Sequence, residues 1–303
     1  MKLPSSLKAL AKRAAPSLYR VHVNNYNASR PSKIREVLND VNPPVTLQDD
    51  VFTKLQNDYN EWREPYDFDQ YSTCRRAYER ALEFLKHIEL LRVPGQDILD
   101  LACGDGMSGP VLSAYGHNVS LLDYDDWRDR RAAHIPFIKA SLANRIPHAD
   151  CSFDFIFSFN AFEHVPDPAL ALNEALRLLR PGGHIWLDFN PLYCSPLGLH
   201  AFSFRMPYPQ FLFSEEIIQR RLKEFGIHDL GRDLPELQPL NGWRCAQFRQ
   251  LWNRSDCEIV LANETVDSRH LNIVLQYPQA FRGRGLTTDD LTVSGIKVVL
   301  RKR

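Results

Sequence analysis

Residues 97–110 read DILDLACGDGMSGP and place Gly104, Gly106 and Gly109 at the G-x-G-x-x-G spacing. Glycines so spaced let a chain leave a strand, turn sharply and enter a helix whose first amides face a ligand. The spacing does not choose the ligand, and by itself it describes no more than a tight turn. A strand that ends under a pyrophosphate stays apolar up to its first glycine, whereas this one carries Asp100. A carboxylate at that point lies beneath the loop and can accept hydrogen bonds from the turn's backbone N–H groups. It also serves a cationic ligand better than an anionic one. The loop therefore leans away from NAD(P) and from an oxidoreductase.

Such a loop needs a strand before it and a helix after it, and the flanking sequence supplies both in alternation. Strand-like segments at Ile98–Leu101, Asn118–Asp123, Phe153–Phe159 and His184–Phe189 alternate with helix-like segments at Gly106–Tyr115 and Pro168–Leu179. This rhythm predicts an α/β fold, a mostly parallel sheet with helices on both faces. Pro181-Gly182-Gly183 reads as a turn into the strand that follows. Upstream, Thr46 is placed to cap a helix over 46–61. A second helix over 72–91 turns Ala77, Ala81, Phe84, Leu85 and Ile88 inward, and an aromatic link with Trp62, Tyr66, Phe68 and Tyr71 joins the two. Downstream, residues 190–213 are too rich in Pro and aromatics for a regular helix or central strand, and a connection of that length is usually functional. Helices near 214–225 and 243–252 and strands over 258–266 and 293–300 complete the chain. We expect a basic arm over 1–45, a helical cap over 46–95, and a main domain over 96–303 with a lid insertion at about 191–243.

The 303-residue chain has no formal net charge, yet residues 1–35 hold eight Lys or Arg and no acid. Residues 3–14 form an amphipathic pattern that reads as a solvated arm, with a targeting or membrane-surface segment as the alternative. Neutral overall charge and the lack of an appended recognition module argue against nucleic acid as a partner. No apolar run is long enough to span a membrane. Six cysteines without a C-x-x-C pair argue against a zinc site and a disulfide scaffold, so no metal is expected and a reducing, cytoplasmic setting is.

"ILDLACGDG", "VSLLDYDD", "IPHADCSFDFIFSFNAFEHVPDP" and "ALRLLRPGGHIWL" follow one another over about 97–190. In this order and spacing they resemble the consecutive motifs of class I S-adenosylmethionine-dependent methyltransferases of the methyltransferase type 11 kind. The resemblance implies a Rossmann-like seven-stranded sheet with its last strand antiparallel, and S-adenosyl-L-methionine as cofactor across the carboxyl ends of the first strands. It implies that Ala102, Gly104 and Gly106 pass beneath the cofactor's amino acid part, with Asp100 under the loop as a further cofactor-site candidate, and that Asp123 receives the two ribose hydroxyls. Tyr124 would pack on adenine, Leu142 and Ala143 would line the adenine edge, and Ser158 and Asn160 would lie near the methionine part. Ala102 stands for a frequent glycine, a change expected to be harmless, and Leu142 for a frequent acid.

Methyl transfer from a sulfonium is an in-line displacement, so such an enzyme must hold the nucleophile and exclude water, with a base where the nucleophile is a hydroxyl. His164, after Glu163 at the end of the fourth strand, and His200, in the aromatic insertion, are the candidate catalytic bases. Glu163, His117 and His148 read as structural or solvated. "NPLY" at 190–193 is like an amino-methyltransferase signature but follows the wrong strand, so Pro191 and Tyr193 are assigned to the lid. The aromatic insertion suits a small organic acceptor, methylated at oxygen. A non-catalytic S-adenosylmethionine-binding partner subunit is the alternative, and the oligomeric state is left open.

Overall fold

The computed structural model describes residues 31–59, 67–229, 232–233 and 235–303. The amphipathic stretch at 3–14 and the link residues Trp62 and Tyr66 lie outside them. Contacts divide the described residues into one unit within 46–270 and 289–303 and another of residues 31–45 and 271–288.

In the larger unit the elements that matter to the site come in chain order. Helices α1 (Asp49–Asp58) and α2 (Gln70–His87) lead to β1 (Asp97–Leu101), α3 (Ser108–Ala114), β2 (Asn118–Asp123), β3 (Phe137–Lys139) and β4 (Phe153–Phe159). Then come α4 (Pro168–Leu178), β5 (Leu179–Phe189), α5 (Glu215–Phe225), the short strands β6 (His228–Asp229) and β7 (Arg232–Asp233), α6 (Cys245–Arg254), β8 (Cys257–Val266) and β9 (Val293–Lys302). Seven strands form one sheet in the order β3-β2-β1-β4-β5-β9-β8, while β6 and β7 pair separately. Pairing is parallel from β3 to β5, and β9 runs antiparallel to both β5 and β8. The expected sheet with an antiparallel last strand is what the chain forms.

Alternation along the strands feeds two cores. One face sends Leu99, Leu101, Ile156, Ile185, Leu187 and Val298 against Leu172 and Leu178 of α4 and Phe248 and Trp252 of α6. The other sends Ile98, Leu121, Phe155, Phe157, Trp186 and Val299 against α2 and α3. Phe84 of α2 is fully buried there, with ring centroids 5.0 Å from Phe155, 4.9 Å from Phe157 and 5.2 Å from Trp186. Helix α2 is thereby a layer of the sheet domain, and its N-cap Asp69 accepts from Ser72 N.

Three local readings change. Thr46 is not a cap, because α1 starts only at Asp49 after Gln48, whose side chain makes no capping bond. Strand β5 starts at Leu179, five residues before His184, with Pro181-Gly182-Gly183 inside an irregular stretch: Phe153 pairs with Leu179 and Phe155 with His184. Strand β3 has three residues and no buried one, too short for alternation to reveal it.

The smaller unit contributes helices Pro31–Asn39, Asn272–Gln276 and Pro278–Phe281. Its buried apolar residues include Ile34, Leu38, Ile273, Val274 and Phe281. No helix among the described residues is long and apolar enough to cross a membrane.

Candidate functional site

The glycine turn is built against the end of β2. Leu101 pairs with Leu122, so Asp123 falls one step beyond β1, level with the start of the turn. Asp123 is buried, its Oδ2 accepting from Gly104 N at 2.9 Å and its Oδ1 from Tyr124 N at 2.8 Å. Burial pushes its carboxyl above the usual range, partly offset by those amides and that of Asp125. Asp105 Oδ1 accepts from Met107 N at 3.0 Å, Leu122 O from Cys103 N, and Cys103 O from Gly106 N. These turn amides therefore go to Asp123, Asp105 and backbone carbonyls, where Asp100 had been expected to take them. The physical reason is reach: Asp100 lies within β1, paired with Leu121 and Phe157 on its two sides. Burial raises the Asp100 carboxyl well above its ordinary value; Arg80 counteracts this while Asp105 and Asp123 add to it.

Gly106 has φ +66°, and a Cβ there would sit 2.7 Å from Leu121 Cδ1, so no larger residue fits without moving the core. Ala102 has φ +60°, the left-handed region that glycine occupies freely. Alanine in that conformation costs about 1 to 2 kcal/mol, so the substitution expected to be harmless is strained.

The other cofactor candidates gather at the carboxyl ends of the parallel strands, where open α/β sheets bind ligands. Tyr124 is 65% exposed, with its ring edge-on to Trp127 at 6.0 Å. Leu142 packs half-buried on the first core, and Ala143 beside it is exposed. At the end of β4, Ser158 is buried with its Oγ unpartnered among the described residues. Asn160, with φ +49°, donates its backbone N–H to Asp188 O at 2.9 Å and accepts from Asn190 Nδ2 at 3.3 Å. These residues offer carboxylates and the Ser158 hydroxyl, with the Arg80 guanidinium acting on Asp100 and lying over the Phe159 ring. That set fits a cofactor bearing a sulfonium, an ammonium and a diol.

Beyond Asn160 the two candidate bases meet. The rings of His164 and His200, 36 positions apart in sequence, stand edge to face with centroids 4.9 Å apart. His200 is fully buried, and its Nδ1 lies 3.1 Å from Asp229 Oδ1. The other Asp229 oxygen accepts from Gln238 N at 2.8 Å. His164 Nδ1 lies 2.9 Å from Pro239 O, and a carbonyl can only accept, so Nδ1 carries the hydrogen. Burial and His200 lower the His164 pKa to about 4, so the ring is neutral near pH 7 and its Nε2 presents a lone pair. Glu163 completes the group: 1% exposed, with its carboxyl driven well above the ordinary range by burial, which the nearby amides of Glu163 and Asn190 only partly offset. The Nε2 atoms of both histidines and both Glu163 oxygens are buried without a hydrogen bond among the described residues. Each such atom left unmatched costs about 1 to 3 kcal/mol.

The loop before α6 holds this corner in place. Asn241 N donates to Glu163 O at 2.8 Å, and Asn241 Nδ2 donates to Phe162 O at 2.7 Å and Val165 O at 3.0 Å. Just beyond, Asp167 caps α4 by accepting from Ala169 N and Leu170 N, and Pro168 at the first turn needs no partner for its nitrogen. Asp229 and Asn241 were not singled out from the sequence. Each sits more than sixty positions from Glu163 in loop-rich sequence, and no local pattern marks it. His117, bonded through Nε2 to Leu91 O at 3.1 Å, is structural as expected.

Residues 99–187 match a family model described as a methyltransferase domain. A demethylmenaquinone methyltransferase of Beutenbergia cavernae is 31% identical over 173 residues, 52% of this chain and 70% of that protein. A 2-methyl-6-phytyl-1,4-hydroquinone methyltransferase of Synechocystis is 35% identical over 97 residues, 30% of each chain. A ubiquinone biosynthesis O-methyltransferase of Albidiferax ferrireducens is 30% identical over 125 residues, 38% of this chain and 48% of that protein. The chain thus spans most of the first relative and less than half of the other two. Sheet order, glycine turn, family match and relatives agree: this chain belongs to the class I S-adenosylmethionine-dependent methyltransferases, with S-adenosylmethionine as its cofactor.

Proposed function

We propose that this methyltransferase methylates a hydroxyl oxygen of a small organic acceptor of the quinol or phenol kind. The observation that carries this reading is the convergence of His164 and His200, from β4 and from the aromatic insertion, at the carboxyl end of the sheet. Relatives whose names specify hydroquinone and ubiquinone-pathway methylation support the acceptor class.

Asp123 and the Ala102–Gly106 turn would hold the cofactor's ribose and amino acid parts, with Tyr124 and Leu142 beside the adenine and Ser158 and Asn160 toward the methionine. Bound there, the cofactor supplies an electrophilic methyl group on a sulfonium. The chain's task is to keep the acceptor oxygen within about 3 to 3.5 Å of that carbon, in line with the breaking bond, and to exclude water. As the oxygen attacks, its proton must leave. His164, neutral and hydrogen-bonded to Pro239 O so that Nε2 is bare, is the first candidate to take it, and His200 the second. The insertion at about 191–243, which brings His200 and Asp229 to the cluster, acts as the lid.

The test is incubation of the full chain with methyl-labelled S-adenosylmethionine and a panel of hydroquinones, catechols, amines and carbon nucleophiles. Labelled methyl ether is expected from the hydroxyl acceptors. Label on ring carbon or nitrogen alone would refute the oxygen assignment, and transfer to none of the panel would refute the acceptor class.

A further inference from the structure

The cluster contains three inward-facing Lewis bases, and the Nε2 atoms of both histidines and the Glu163 oxygens have no hydrogen-bond partner among the described residues. His164 gives its Nδ1 hydrogen to Pro239 O, and His200 presents its Nδ1 to the Asp229 carboxylate, which as an acceptor fixes the hydrogen on that nitrogen. Both Nε2 lone pairs are therefore directed elsewhere. A carboxylate oxygen of Glu163 and one ring nitrogen of each histidine all lie within 4.8 Å of one another. Both Nε2 atoms and both Glu163 oxygens are buried, and none of them makes a hydrogen bond among the described residues. A proton on Glu163 could serve one imidazole at most and would leave the other bare. A cation answers all three at once.

We infer that Glu163, His164 and His200 form a binding site for one divalent transition-metal ion of the zinc class. Two imidazoles and one carboxylate are a ligand set that zinc accepts, and imidazole selects against magnesium and calcium. Tetrahedral coordination at about 2.1 Å places ligand atoms about 3.4 Å apart, so the site closes by small side-chain rotations. The partners that metal-bound histidines require are already in place, a carboxylate behind His200 and a carbonyl behind His164. The absence of paired cysteines gave no hint of this, because the ligands come from His and Glu.

Three protein ligands leave a position for water or an oxygen of the acceptor. For what the ion would do there, the inference rests on the proposed oxygen acceptor: a hydroxyl bound to it would give up its proton to solvent water on binding, so that His164 would serve as ligand instead of base and the resulting oxyanion would take the methyl group from the sulfonium. The ion also joins the turn after β4 to the insertion, since His200 and Asp229 lie on the latter.

The full chain, stripped with a chelator and dialysed, is titrated with zinc alone and, in parallel, with cobalt(II) as a spectroscopic probe. One equivalent of zinc bound at micromolar or lower concentration, a raised Tm and a cobalt ligand-field band are expected, with no response to magnesium. Glu163→Gln and His200→Ala should each weaken zinc binding more than about 100-fold, and Asp229→Asn, acting through His200, by about 10- to 100-fold. Affinity for S-adenosylhomocysteine reports that each variant is folded. Failure of the unmutated chain to bind zinc overturns the site without recourse to any variant. Unchanged zinc affinity in a folded His200→Ala protein does so too. Zinc binding is read without an acceptor, so a chain that binds zinc here yet methylates no hydroxyl keeps the site and loses only the acceptor assignment.

Discussion

Replacing Asp123 by alanine removes two kinds of hydrogen bond at once. The carboxylate receives Gly104 N on one oxygen and Tyr124 N on the other, at 2.9 and 2.8 Å. Each oxygen keeps a second lone pair, and these are the acceptors proposed for the ribose hydroxyls. Loss of the internal pair leaves two amides unmatched and should lower apo-protein stability by about 1 to 3 kcal/mol. Loss of the ribose contacts should cost about 1.5 to 3 kcal/mol of binding for each bond to the charged group. A fall in affinity alone does not separate a lost contact from a loosened loop, so the ligand must be varied as well. S-adenosylhomocysteine and its 2′-deoxy analogue, titrated calorimetrically into both proteins, close a double-mutant cycle. Where Asp123 receives the 2′-hydroxyl, the deoxy analogue binds the unmutated protein about 10- to 150-fold more weakly than the parent, and binds the variant nearly as well as the parent. Equal losses in the two proteins would mean no contact between Asp123 and that hydroxyl, whatever the total affinity, and would refute its place in the site.

Ala102→Gly should relieve the left-handed backbone and raise stability by up to about 1 kcal/mol after the added freedom of the unfolded chain is subtracted; a lower Tm would show that the turn is not strained. Phe84→Ala, which empties the centre of the aromatic cluster on α2, should cost about 3 to 5 kcal/mol in denaturant unfolding. A loss under 1 kcal/mol would mean that α2 does not cover the sheet as described. Asp100→Asn should raise apo stability by about 1 to 3 kcal/mol at neutral pH, because the raised carboxyl stores the cost of a buried charge beside Asp105 and Asp123, with Arg80 offsetting only part. A carboxyl whose folded pKa exceeds its unfolded value contributes stability that is fully present below the unfolded value and lost as pH rises through the folded one. The gain from the substitution should therefore shrink as pH falls, and a gain independent of pH would exclude Asp100 as its source.

Strand ends and helix ends were readable where chemistry punctuates the chain. Asn118–Asp123 and Phe153–Phe159 coincide with β2 and β4, because apolar runs there stop at turn residues. The helix-like segment from Pro168 coincides with the start of α4, where a proline at the first turn fits the helix. The start of β5 was hidden, since Pro181-Gly182-Gly183 looks locally like a turn although the strand pairs with β4 on both sides of it. The glycine turn could be located but its hydrogen bonding could not: Asp100 and Asp123 are equally acidic in sequence, and only the β1–β2 register brings the second to Gly104. Likewise His164 and His200 were separate candidates, and neither residue discloses that Asp229 and Pro239 orient them toward each other. Such pairings depend on how the insertion returns to the sheet, which is decided by packing.

The position of β9 bears on how the molecule comes into being. This strand follows every other in the chain, yet it lies in the middle of the sheet's second half, between β5 and β8. Until Val293–Lys302 has been synthesised, β5 and β8 have no hydrogen-bonding partner on their facing sides, and both cores lack their Val298 and Val299 contacts. The growing chain can assemble β1 to β5 on the ribosome but must wait with two open edges, the condition that invites strand-to-strand association between nascent chains. Closure of the domain is thus deferred to the arrival of its last strand.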